Sequence, residues 1–150
     1  MNKCVKAVFF DRDGTINVKL PEGRYVTTWG EFEFLPDTFR VLQEIKGKGY
    51  KTIIVTNQRG IARGIMSDMQ LQHIHEKMQS VLEQYGCQFD HIFYCPHDVK
   101  ERCGCRKPEP GLLAMADQYY CIDKGHSFMV GDSASDMEAG RRYGVRTIRI

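Results

Sequence analysis

Apolar positions along this chain come in two rhythms. Short continuous runs at residues 5–10 (VKAVFF), 51–55 (KTIIV), 91–94 (HIFY), 127–130 (SFMV) and 145–150 (VRTIRI) are rich in β-branched and aromatic residues and read as strands, the first of them fully buried. Between them the apolar residues recur every three or four positions. The clearest helix opens at Ser67, where Gln70 completes a capping box, carries Leu71, Ile74, Met78, Val81, Leu82 and Tyr85 at helical spacing, and stops before Gly86. Further helices are predicted over residues 37–46 before Gly47, 110–120 with a proline in the first turn, and 135–143 before Gly144. Strands alternating with helices predict βαβ units, hence an α/β fold with a parallel sheet flanked by helices. No internal repeat, low-complexity tract or linker breaks the series, so residues 1–150 are predicted to form a single domain.

Composition narrows the function classes. A chain of 150 residues, 42% of them hydrophobic, is long enough to build one sizeable core. Its 21 Lys and Arg nearly balance 19 Asp and Glu, and a net charge of +2 gives no electrostatic case for nucleic acid or a membrane surface as partner. No apolar run reaches the roughly 18 residues of a membrane span, and the start of the chain lacks a secretory layout, so a cytoplasmic location is expected. Of the 6 cysteines, three crowd with a histidine between positions 95 and 105, the pattern of a metal site in a reducing compartment. Cys4, Cys87 and Cys121 are scattered and are expected simply to be buried.

Chemistry gathers where strands end. The first strand runs into Asp11-Arg12-Asp13-Gly14-Thr15, two carboxylates two residues apart with a glycine to turn the backbone, at the edge where open α/β sheets bind ligands. In that position Asp11 can attack and Asp13 can handle protons. The second strand ends in Thr56-Asn57-Gln58 and the fourth in Gly131-Asp132. Taken alone, Thr56-Asn57 is a cap or turn; three polar strand ends on one edge form a site. Asp132 is favoured as a partner of Asp11 around a hard cation, whereas Asp136 reads equally as a charge at a helix N-terminus. Arg106-Lys107, on a proline-stiffened stretch, supplies fixed positive charge for a phosphoryl group. Immediately before it, Cys95, His97, Cys103 and Cys105 offer a Cys₃His set, which fits a structural zinc with every ligand position filled by protein.

The ordered set Asp11-Arg12-Asp13-Gly14-Thr15, Thr56-Asn57-Gln58, Lys107 and Gly131-Asp132 resembles the four motifs of the haloacid dehalogenase superfamily of phosphatases. Within it, RDGTIN at 12–17, TNQRGIARG at 56–64, the cysteine loop and CRKPEPG at 105–111 resemble the D-glycero-D-manno-heptose 1,7-bisphosphate phosphatases, with histidinol-phosphate phosphatases as near relatives. The resemblance implies a Rossmann-like, capless, magnesium-dependent and zinc-bearing enzyme that removes the 7-phosphate of a heptose bisphosphate in the supply of lipopolysaccharide precursors. It makes Asp11 the nucleophile and Asp13 the general acid/base. It assigns magnesium to the Asp11 and Asp132 carboxylates and the Asp13 carbonyl, and zinc to Cys95, His97, Cys103 and Cys105. It gives Thr56 and Lys107 to the transferring phosphoryl group, Arg106 to the substrate, and Asn57 and Gln58 to the pocket wall. Several features depart from the heptose pattern: Arg59 stands where serine is common, Ser133 where lysine is common, the gap inside the cysteine loop is short, as in histidinol-phosphate phosphatases, and residues 19–24 (KLPEGR) form a slightly expanded segment.

Two other classes share parts of this set. A phospho-aspartate receiver uses a strand-end aspartate, a threonine and a lysine, but lacks an acid/base at the position of Asp13 and has no zinc loop. A zinc-organised nucleic-acid module would centre on the cysteines, against which the near-neutral charge argues. For the phosphatase, Asp13 should have a raised pKa so that it starts protonated. His73 and His75 are read as helix surface; His91 and His126 have no ligand partners at suitable spacing; Trp29, Phe32 and Phe34 are expected to close a loop over the core. A monomer is expected, because no coiled-coil repeat or exposed apolar stripe is visible.

Overall fold

The computed structural model describes residues 3–150. Five strands, β1 (Ala7–Phe10), β2 (Lys51–Asn57), β3 (His91–Cys95), β4 (Phe128–Gly131) and β5 (Arg146–Arg149), form one parallel sheet in the order β3-β2-β1-β4-β5. Register is continuous across the centre: Phe9 lies opposite Ile53 and Met129, and Val55 opposite Phe93.

Side chains alternate across a strand, so each central strand feeds two cores. Ala7, Phe9, Ile53, Val55 and Met129 face one side, where Leu112 and Leu113 of α3 (Gly111–Ala114) and Ala139 and Tyr143 of α4 (Ala134–Tyr143) cover them. Val8, Phe10 and Ile54 face the other, under Leu42 of α1 (Thr38–Gly47) and Leu71, Ile74, Met78 and Leu82 of α2 (Asp68–Gln84). Burial on both faces explains why these strands read as uninterrupted apolar runs. The predicted capping box of α2 is present, with Gln70 N–H donating to Ser67 Oγ at 3.1 Å and Ser67 N–H to Gln70 Oε1 at 2.7 Å.

Several expectations are corrected. The helix predicted over residues 110–120 is one α-helical turn followed by a 3-10 segment, Met115–Gln118, and the first strand begins at Ala7, since Val5 makes only an isolated bridge to Ile122. Cys87 is buried as expected, whereas Cys4 and Cys121 are exposed and joined in a disulfide. His73 is exposed, but His75 is buried, because it lies four residues after Leu71 and three before Met78 on the inner face of α2. Phe32 is buried and stacks on Trp29 at 5.0 Å, closing the loop as predicted. No helix among the described residues is long and apolar enough to cross a membrane.

The strand order reverses its direction of growth at β1, which has β2 on one side and β4 on the other. Such a switch point leaves a crevice at the carboxyl ends of the strands, and here the ends of β1, β2 and β4 carry Asp11, Thr56-Asn57 and Asp132.

Candidate active site

A cavity of 550 Å³ opens at these strand ends, lined on its floor by Asp11, Asp13, Lys107, Asp132 and Asp136 and on its walls by Asn57, Arg59, Arg106 and the loop 19–26. Lys107, 2% exposed, sits between two carboxylates, donating to Asp11 Oδ1 at 2.9 Å and Asp136 Oδ1 at 2.6 Å. Asn57 fixes this lysine by its backbone, accepting from Lys107 N–H at 3.0 Å and donating to its carbonyl at 3.2 Å. Asp136 is held in turn by the cap of α4, where it accepts from Ser133 N–H at 3.1 Å and its own N–H donates to Ser133 Oγ at 3.2 Å. The sequence left Asp136 between metal ligand and helix charge; in the structure it completes the capping box of Ser133 and is the lysine's partner.

Burial drives the Asp11 pKa up, the Lys107 charge opposes it, and Asp136 adds to the rise, leaving it at about 7. Asp13 goes the other way. Burial alone would raise it, but Arg12 Nη2 at 2.7 Å and Asn17 Nδ2 at 2.9 Å donate to Oδ1, and Gln58 Nε2 at 3.0 Å donates to Oδ2. The Arg12 charge and these three hydrogen bonds stabilise the ionised form and hold the carboxyl below its ordinary range, the reverse of the expected rise. Gln58 is also displaced from its expected place: at 2% exposed it lies beneath Asp13 and bonds Thr56 Oγ1 at 2.9 Å, and Thr56 is itself fully buried.

The acidic cluster suits a hard cation. Carboxylate oxygens of Asp11, Asp132 and Asp136 lie within 4.8 Å of one another, and Asp132 Oδ1 is buried without a hydrogen-bond partner among the described residues. Both Asp136 oxygens are taken, Oδ1 by Lys107 and Oδ2 by Ser133 N–H, whereas Lys107 takes only Oδ1 of Asp11, which leaves Asp11 and Asp132 as the natural pair for magnesium. Gly14, at φ +88°, passes so close to Asp132 that a β-carbon there would overlap the carboxylate. At the second cluster, Cys95 Sγ lies 3.4 Å from Cys103 Sγ and 3.4 Å from His97 Nδ1, and Cys105 Sγ is 3.4 Å from the same imidazole nitrogen. Against the raising effect of burial, the Arg106 N–H and the neighbouring thiols bring Cys103 down to about 6, toward the thiolate that ligates metal. The donor set and spacing fit tetrahedral zinc. Arg106 follows directly, its N–H 3.4 Å from Cys103 Sγ.

Sequence reasoning missed Arg12 and His75, both buried, and the wall formed by Tyr25, Arg59 and Arg63. Tyr25 Oη accepts from Arg59 Nε at 2.9 Å and Arg63 Nη1 at 3.2 Å, and Arg63 Nε donates to Asp98 Oδ2 at 2.9 Å, so the loop 19–26, the turn after β2 and the cysteine loop are latched together. His75 was legible in the heptad spacing of α2; no local signal marks the Tyr25 latch.

Residues 6–145 match the family described as Polynucleotide kinase 3 phosphatase. The D-glycero-beta-D-manno-heptose-1,7-bisphosphate 7-phosphatase of Haemophilus ducreyi is 41% identical over 149 residues, covering 95% of this chain and 80% of the relative. The enzyme of the same name from Escherichia coli K12 is 40% identical over 154 residues, covering 98% and 79%. The crystal structure of D,D-heptose 1.7-bisphosphate phosphatase from B. bronchiseptica, complexed with magnesium and phosphate, superposes with a TM-score of 0.88 at 33% identity, covering 95% of this chain and 79% of that one. With its parallel sheet, its strand-end carboxylates and these similarities over nearly the whole length, the chain belongs to the polynucleotide kinase 3 phosphatase family and, within the haloacid dehalogenase superfamily, to the heptose bisphosphate phosphatases.

Proposed function

We propose that this phosphatase removes the 7-phosphate of D-glycero-D-manno-heptose 1,7-bisphosphate through an aspartyl phosphate on Asp11. The observation that carries the reading is the floor of the cavity, where Asp11 is pinned by Lys107 and stands two residues from a second, separately held carboxyl. An Asp11 oxygen attacks phosphorus in line as the bond to the sugar oxygen breaks, and Asp13 delivers a proton to that oxygen. Water then attacks the aspartyl phosphate, Asp13 takes its proton, and inorganic phosphate leaves with Asp11 restored. Asp13 is ionised in the free protein, and the dianionic phosphate entering beside it raises its proton affinity, so Asp13 takes up a proton from solvent as the substrate binds. The Asp11 and Asp132 carboxylates and the Asp13 carbonyl would hold magnesium, which would supply positive charge at the phosphoryl oxygens. Lys107 supplies the same from the protein, and Thr56, fully buried, bonds the Gln58 side chain that holds Asp13.

Lys19, Arg24, Arg59 and Arg106 ring the cavity with cations suited to a second phosphate beyond the one cleaved. Cys95, His97, Cys103 and Cys105 would hold zinc, which would keep Arg106 and Lys107 in place. On the same reading, residues 1–150 act as one capless domain and as a monomer, in the cytoplasm, on a small sugar phosphate of lipopolysaccharide precursor synthesis, with neither nucleic acid nor membrane as partner. The near-neutral charge supports this, and the zinc thiols favour a reducing compartment, where Cys4 and Cys121 would be free thiols.

The test compares kcat/KM on the α and β anomers of heptose 1,7-bisphosphate, histidinol phosphate and a 3′-phosphorylated oligonucleotide. A heptose bisphosphate is expected to win. Preference for histidinol phosphate would replace the substrate and leave the chemistry standing, whereas steady-state turnover by Asp11→Asn, with deamidation excluded, would remove the nucleophile assignment.

A further inference from the structure

We infer that His75 is a positioning residue for proton transfer, holding the Arg12 guanidinium against Asp13 from helix α2. Arg12 is among the largest fully buried side chains of the described residues, at 0% exposure. Its Nη2 donates to Asp13 Oδ1 at 2.7 Å, its Nη1 lies 3.1 Å from His75 Nε2, and its Nε is buried without a partner. A guanidinium has five N–H donors, no acceptor, and keeps its proton. His75 Nε2 must therefore accept, which fixes the ring as the neutral tautomer protonated on Nδ1. Burial, reinforced by the Arg12 charge, agrees with this by pushing the imidazole pKa down to about 3.

The acceptor decides where the guanidinium points. With Nε already unpaired, loss of the bond to His75 would leave two of the cation's three buried nitrogens without a partner, a penalty relieved only by rotation of the group. Arg12 Nη2 shares Asp13 Oδ1 with Asn17 Nδ2 at 2.9 Å, so such a rotation removes one of two donors on that oxygen, together with the cation beside it, and leaves the carboxyl held by Asn17 and Gln58 alone. His75 is placed for this role by a rigid support. It sits on the face of α2 that carries Leu71, Ile74, Met78 and Leu82, each 0% exposed. The carboxyl after β1 is thus oriented from a helix 63 residues further along the chain. Neither Arg12 nor His75 lines the cavity, so the effect reaches substrate only through Asp13.

This inference rests on Asp13 being the acid/base, and the experiment separates the two. Turnover of heptose 1,7-bisphosphate, whose sugar oxygen must be protonated to leave, is compared with that of p-nitrophenyl phosphate, whose leaving group departs without a proton. His75→Leu is expected to lose about tenfold or more in kcat/KM on the heptose substrate, and several-fold less on p-nitrophenyl phosphate, because kcat/KM reports the steps up to formation of the aspartyl phosphate, where the leaving group takes its proton, and not the hydrolysis common to both. His75→Gln, which returns an acceptor oxygen, should recover most of the loss. Equal losses on both substrates, or no loss, would overturn the inference. Asp13→Asn should show the same dependence on leaving group more strongly; its failure to do so would overturn the acid/base reading beneath. A measurement on the unaltered protein guards against a variant that does not fold: the ring ¹⁵N signals of His75 at neutral pH should report Nδ1–H with bare Nε2, and a proton on Nε2 would refute the arrangement.

Discussion

Lys107 balances two carboxylates where water barely reaches. With Asp11 at 2.9 Å and Asp136 at 2.6 Å, its pKa is raised even though burial alone would lower it, so the ammonium is the resident form. Replacing it by methionine keeps the volume and strands two facing carboxylates. Lys107→Met should cost about 3–5 kcal/mol of stability, read by urea unfolding, as expected when one partner of a buried ion pair is removed. Phosphatase turnover should fall to background in the same variant. Stability within about 1 kcal/mol of the parent would mean that the carboxylates take up protons or solvent at no cost, contrary to this account. The motif resemblance identified Lys107, but not Asp136 as its second partner, since an aspartate in the first turn of a helix is already explained by capping.

At the scale of elements, the loop between β3 and α3 carries the two cations that the site needs. Its three thiols and imidazole converge while Arg106 and Lys107 are tied back to Cys103 and Asn57. Purified protein is expected to hold about one zinc per chain. Cys105→Ser should lose it and increase hydrogen exchange across residues 102–110, whereas Asp132→Ala should keep zinc and lose the response of activity to magnesium. Elemental analysis and magnesium titration of the two variants read these outcomes, and coincident loss of both metals in either one would contradict separate sites. Elements with strong local patterns were legible in the sequence: the cap of α2 and its apolar face are set by residues within a few turns of each other. The segment 110–120 was not. Its periodic apolar residues are satisfied equally by a short α-turn and a 3-10 turn once Leu112, Leu113 and Ala116 are buried against the sheet.

For the whole molecule, the buried imidazole couples the fold to pH. His75 has a folded pKa of about 3 against an ordinary 6.5, so between these values the unfolded chain binds a proton that the native state excludes. Its contribution is fully present above pH 6.5 and is lost as pH falls toward 3, with a slope approaching 1.4 kcal/mol per pH unit inside that window. Denaturant unfolding of the parent and His75→Gln from pH 7 to pH 4 should therefore show the parent losing stability more steeply. Parallel curves would place the proton elsewhere.

The sequence by itself determined the alternation of strands and helices, the chemistry at three strand ends and the Cys₃His loop, because each is written in residues close together in the chain. Periodicity, caps and ligand spacing are local, and burial on both faces of a parallel sheet leaves an unmistakable apolar run. Only the tertiary structure decided how those ends are wired. His75 meets Arg12 across 63 residues, Gln58 meets Asp13 across 45, Lys107 meets Asp136 across 29, and Cys4 meets Cys121 across 117. No period links such pairs; the strand order β3-β2-β1-β4-β5 and the packing of α2 bring them together. The ionisation of Asp13 follows from the same cause. Its spacing from Asp11 suggested an acid, but the donors that lower its pKa reach it from Arg12, Asn17 and Gln58, and a buried carboxyl takes its proton affinity from the groups that surround it in space.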